Sequence, residues 1–80
     1  MRIDKFLKVS RILKRRTVAK EACLGDKILV NGKEVKPAHR VKVGDIVELH
    51  YTTGQVKFRI LQIKEFVKKD EAQTLFEVIE

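Results

Sequence analysis

Several residue types are scarce in this 80-residue chain, and each scarcity excludes something. There is one cysteine, Cys23, so no internal disulfide can form, and the chain suits a reducing compartment. With His39 and His50 as the two histidines, no Cys/His set has the spacing of a metal centre. No metal or cofactor is expected. The four glycines are dispersed at turn positions, so there is no glycine-rich phosphate loop. Proline occurs once and tryptophan not at all. No apolar run approaches the ~20 residues that span a bilayer. The N-terminus has a charge every third residue instead of the apolar stretch of a signal peptide. The reading is a soluble, cytoplasmic, single-domain protein with too little interior for an enclosed catalytic pocket.

Acidic residues are scarce in one place only. Arg2 to Lys20 holds eight of the eighteen Lys and Arg residues and one acid, Asp4. From Glu21 onward, ten basic residues meet ten acidic ones. The whole formal charge of +7 therefore belongs to the first twenty residues. Concentrated this way, it makes the local positive field of a polyanion binder.

Ile3, Phe6 and Leu7 stand at helical spacing, with Ser10 on the same line. Lys5, Lys8 and Arg11 repeat every three residues on a different face. A first helix is predicted from Asp4 to Ile12, packed on one side and cationic on the other. Lys14-Arg15-Arg16 is a basic connector, and Thr17 is a credible N-cap. Val18, Ala19, Ala22 and Cys23 form the buried stripe of a second helix that ends near Gly25 or Asp26. The two helices should lie side by side with their cations sharing one face.

The period then shifts to two. Ile28 and Val30 lead into Asn31-Gly32, a type I′ hairpin signal, and Lys33 to Val35 returns. Pro37 to Arg40 is a loop. Val41 and Val43 precede the Gly44-Asp45 turn, and Ile46, Val47, Leu49 and Tyr51 form another strand. Thr53-Gly54 turns the chain into the alternating strand Val56, Phe58, Ile60. Lys68 to Gln73 is expected to be loop, and Leu75 to Ile79 closes the sheet. The predicted fold is α+β, two N-terminal helices packed on a small, mostly antiparallel sheet. Residues 1–80 make one domain, with 2–51 the helical and hairpin motif and 52–80 the strands that complete the sheet.

Arg2-Ile3-Asp4-Lys5-Phe6-Leu7, Arg15-Arg16-Thr17, Ile28-Leu29-Val30-Asn31-Gly32 and Val41-Lys42-Val43-Gly44-Asp45 occur in that order at compact spacing. Together they resemble the S-four RNA-binding domain, named after the small-subunit ribosomal protein, over about residues 2 to 51. Within that family the chain looks most like the small free-standing members: the fifteen-kilodalton heat-shock protein and the shorter Gram-positive RqcP type. The resemblance implies binding to large-subunit ribosomal RNA and tRNA on stalled large subunits, in ribosome-associated quality control. It also implies support for C-terminal alanine tailing beside a quality-control factor, with no catalysis by the chain itself.

Paired RNA is recognised by shape, through phosphates and 2′-hydroxyls across a wide minor groove. A rigid helix pair with regularly spaced cations suits that task. The candidate contacts are Arg2, Lys5, Lys8, Arg11, Lys14, Arg15, Arg16, Lys20 and, from the loop after Pro37, Arg40. Arg16 is the foremost because it adjoins the second helix's N-terminus. Lys33 and Lys36 are weaker candidates. Asp4 has two readings: it caps or pairs with Arg2 or Lys8, or it orients an arginine or accepts from a ribose hydroxyl. Phe6, Phe58, Phe66, Phe76 and Tyr51 are assigned to the core. Aromatics free to stack on bases are then nearly absent, which argues against a single-strand binder. A monomer is expected. The alternative reading is a DNA-binding helix-turn-helix regulator, although Thr-Val-Ala-Lys-Glu-Ala-Cys-Leu is poor in base-reading side chains.

Overall fold

The computed structural model describes residues 1–13, 25, 27–51 and 54–79. Helix α1 spans Ile3–Val9, followed by strands β1 (Ile28–Val30), β2 (Lys33–Glu34), β3 (Ile46–Tyr51) and β4 (Gly54–Ile60). A 3-10 helix, Lys69–Leu75, leads into β5 (Phe76–Val78). The second helix expected over Thr17 to Cys23 lies outside the described residues, and so does its placement beside α1.

The five strands form one sheet in the order β2-β1-β3-β4-β5, with each neighbouring pair antiparallel. Asn31 (φ 53°) and Gly32 (φ 82°) both take positive φ, as a type I′ turn requires. That turn sets the register Leu29↔Glu34 and Val30↔Lys33. Period-two alternation sends Ile28, Val30, Val47, Leu49, Phe58 and Ile60 to one face, all buried. Ile3, Phe6 and Leu7 of α1 join them in one core, to which Val41 and Leu75 also belong. The Phe6 ring stacks on Phe58 with centroids 6.3 Å apart, and Phe76 meets Phe58 edge-on at 5.4 Å.

Two locks hold the layout. The first joins the hairpin to the Gly44-Asp45 turn. Buried Asp45 accepts from Asn31 Nδ2 at 3.1 Å and from the Lys42 amide at 3.0 Å. Asn31 Oδ1 in turn accepts from the Ile46 amide at 3.0 Å, and the Asn31 amide donates to the Ile46 carbonyl at 2.7 Å. The second lock ties the start of α1 to the Pro37 loop. The Ile3 amide donates to the His39 carbonyl (2.7 Å), the Asp4 amide to Pro37 (3.3 Å), and the Val41 amide to Met1 (2.8 Å). Free amides of a helix's first turn need partners. Here loop carbonyls supply them in place of an N-cap side chain, and Asp4 Oδ1 takes the next one, the Lys5 amide, at 2.8 Å.

Three expectations need correction. Helix α1 ends at Val9 rather than Ile12, because Arg11 adopts a left-handed conformation (φ 62°) just past the Ser10 C-cap. The chain then doubles back, with the Leu13 amide reaching the Leu7 carbonyl at 3.0 Å, and Ile12 and Leu13 pack on the core. The stretch expected as loop over Lys68 to Gln73 is instead largely 3-10 helix. Ala72 and Leu75, three residues apart, are its buried positions, which fits three residues per turn. Phe66, assigned to the core, is 90% exposed.

A candidate nucleic-acid interface along helix α1

Helix α1 buries Ile3, Phe6 and Leu7, so the rotation of the helix directs Lys5, Lys8 and the residue after its cap, Arg11, elsewhere. These three cations line one groove, closed on its other side by residues 65–69. Its volume is about 750 Å³, and Glu65, Phe66, Val67, Lys69 and Val9 complete the lining. Among the described residues, four cations face one acid. Lys5 Nζ forms an ion pair with that acid, Glu65. The ammonium's hydrogen bond, and then its charge, hold the Glu65 carboxyl below the ordinary glutamate range. Lys8 and Arg11 are exposed.

Arg2 and Arg40 are brought together by a different device. They form an antiparallel bridge, flanked by the Ile3–His39 and Val41–Met1 hydrogen bonds. Bonds on both flanks make this a non-hydrogen-bonded pair, whose Cα atoms stand roughly 4.5 Å apart with side chains on one face. Two like charges in that position repel. Asp4 offsets part of the repulsion. Its carboxylate is fully buried and holds Arg2 Nη2 at 3.1 Å. The pairing expected between Asp4 and Arg2 is present, and the same contact orients the Arg2 guanidinium. Arg2 Nε is buried with no hydrogen-bond partner among the described residues. Arg40 is exposed.

Of the nine candidate contacts, five are therefore placed. Lys5, Lys8 and Arg11 share the groove, while Arg2 and Arg40 share the bridge. Lys14, Arg15, Arg16 and Lys20 lie outside the described residues. Lys33 and Lys36 are exposed and, with His39, line a separate hollow of about 620 Å³ between the hairpin and the Pro37 loop. Sequence reasoning missed Glu65, Phe66 and Lys69. They are far from the cationic run, and only the polarity of Lys64-Glu65 and Lys68-Lys69 around Phe66 and Val67 hinted at a surface position.

The S4 domain family model matches residues 1–47. A Halalkalibacterium halodurans protein named RQC P-site tRNA stabilizing factor is 50% identical over 78 residues, covering 98% of this chain and 89% of its own. The protein of the same name from Streptococcus pneumoniae is 44% identical over 79 residues, covering 99% and 90%. The trimeric structure of Vibrio cholerae heat shock protein 15 superposes with a TM-score of 0.91 at 29% identity, covering 99% of this chain and 81% of that one. On the strength of the family match and these relatives, the chain belongs to the S4 domain family.

Proposed function

We propose that this protein is a non-catalytic RNA-binding factor that acts on stalled large ribosomal subunits. There it binds ribosomal RNA and tRNA in ribosome-associated quality control. The observation that carries the reading is the Arg2–Arg40 bridge at the start of the helix whose Lys8 and Arg11 line the groove. A fold that sets two arginines at one bridge, with a buried carboxylate paired to Arg2, leaves cationic capacity for an outside anion. Arginine forks bind phosphate oxygens bidentately, and a polyanion would relieve the repulsion of the pair. The names borne by the relatives support tRNA as one partner and the quality-control pathway as the setting. Cytoplasmic location, a monomeric state and support of C-terminal alanine tailing belong to the same proposal.

Binding of a labelled large-subunit ribosomal RNA fragment and of tRNA, with duplex DNA as competitor, tests it. Arg40→Ala and Arg16→Ala should each weaken RNA binding and reduce the salt slope by about one, at unchanged melting temperature. If about six phosphates are engaged, the wild-type log–log slope is about −4 to −5. A preference for duplex DNA would favour the helix-turn-helix alternative. Equal RNA affinity for wild type and both variants would remove the proposed surface.

A further inference from the structure

We propose that Phe66 is a stacking platform for an unpaired RNA base, and that Lys8, Arg11 and Lys69 take the phosphates on either side of it. The proposal rests on the RNA-binding reading and adds a ligand class to one part of the surface. A lone exposed apolar side chain is ordinary on protein surfaces. Phe66 is set apart by how it is held and by what surrounds it. Phe6 and Phe58 are fully buried and Phe76 packs on Phe58, whereas Phe66 is 90% exposed. Its neighbours are both anchored: Glu65 by the ion pair with Lys5, and Val67 by packing against the core. The ring is thus pushed outward from a segment pinned on both sides, at the mouth of the α1 groove.

The surroundings select the occupant. A partner protein's apolar anchor site is depleted of charge at its centre. Around Phe66 the groove presents Lys5, Lys8, Arg11 and Lys69 against Glu65 alone among the described residues. An aromatic face bordered by cations is the combination that binds single-stranded nucleic acid: the ring stacks on a base and the cations follow the backbone. The groove's ~750 Å³ falls within the roughly 300–1,000 Å³ of clefts that hold small ligands, enough for a nucleotide. It follows that the RNA site includes a splayed-out nucleotide beside the paired region read by the other cations.

The test uses the full chain and three fluorescein-labelled probes: an oligo(A) octamer, the same octamer with abasic sites, and a blunt RNA duplex. Phe66→Ala should lower octamer affinity about 5- to 100-fold while leaving the duplex, the abasic strand and the melting temperature unchanged. Phe66→Trp should retain octamer binding. Because the chain has no tryptophan of its own, the new indole should be quenched by the octamer and not by the abasic strand. Equal octamer affinity for wild type and Phe66→Ala, or an unquenched indole, would overturn the stacking proposal while RNA binding stands. If wild type binds none of the probes, the RNA reading falls as well. A shift of sedimentation in Phe66→Ala with octamer affinity unchanged would assign the ring to contact between copies of the chain, and would equally overturn the proposal.

Discussion

Arg11 carries backbone strain and charge at one position, and two substitutions separate them. With φ at 62°, it holds the left-handed conformation that glycine usually takes after a helix. A non-glycine residue there stands about 1–2 kcal/mol above the right-handed well. Arg11→Gly removes that cost but adds unfolded-chain entropy worth about 0.4–1 kcal/mol. The net expectation is a gain centred on about 0.8 kcal/mol, or about 3–6 °C in melting temperature for a domain of this size. Arg11→Ala keeps the left-handed backbone and should stay within about 0.5 kcal/mol of wild type. Both variants lose the guanidinium, so both should flatten the salt dependence of RNA binding by about 0.7–0.9 in slope. Thermal melts and titrations at several salt concentrations give the two readouts independently. If the glycine variant melts no higher than the alanine one, the backbone is not strained. If either variant keeps the wild-type slope, Arg11 touches no phosphate.

Three other expectations follow from the packing. Phe6→Ala removes a fully buried ring stacked on Phe58 and should cost roughly 3–5 kcal/mol in denaturant melts, so an unchanged curve would refute the core assignment. Asp45→Ala strands the Lys42 amide and the Asn31 side chain and should cost about 2–4 kcal/mol; combined with Asn31→Ala in a double-mutant cycle, it should show coupling of about 1–2 kcal/mol, and additivity would mean the lock is not cooperative. Glu65 has its folded pKa depressed by Lys5, so the pair stabilises the fold above the ordinary glutamate pKa and that contribution disappears as pH falls through the lowered value. Melting temperatures of wild type and Glu65→Gln should therefore converge at acid pH and separate towards neutrality, and the variant, with Lys5 released, should bind RNA more tightly.

Much of this was legible in the sequence where a local rule and the tertiary fold agree. Asn31-Gly32 announces its turn because both residues tolerate positive φ, and Val56, Phe58 and Ile60 announce β4 because one face is wet and the other dry. The early end of α1 was not legible, since an arginine gives no stop signal where glycine would. The 3-10 helix offers only Ala72 and Leu75 as apolar markers, too few to reveal a period. Phe66 was misplaced because ring hydrophobicity favours the interior on average. Nothing local records that Glu65 is drawn to Lys5 across sixty residues of chain. Nor does spacing alone show that Arg40 faces Arg2: that pairing depends on carbonyls of the Pro37 loop serving the first turn of α1.

The Asn31–Asp45 lock changes how the chain's most recognisable letters should be understood. Both side chains spend their hydrogen bonds on the protein's own scaffold. Asparagine-glycine and glycine-aspartate therefore certify the frame and are silent about the cargo. A distant cousin could preserve that signature intact, replace its cations, and grip something other than RNA. On the surface proposed above, sorting such cousins by ligand should weigh positions 2, 8, 11, 40 and 66 ahead of the letters that make the frame easy to find.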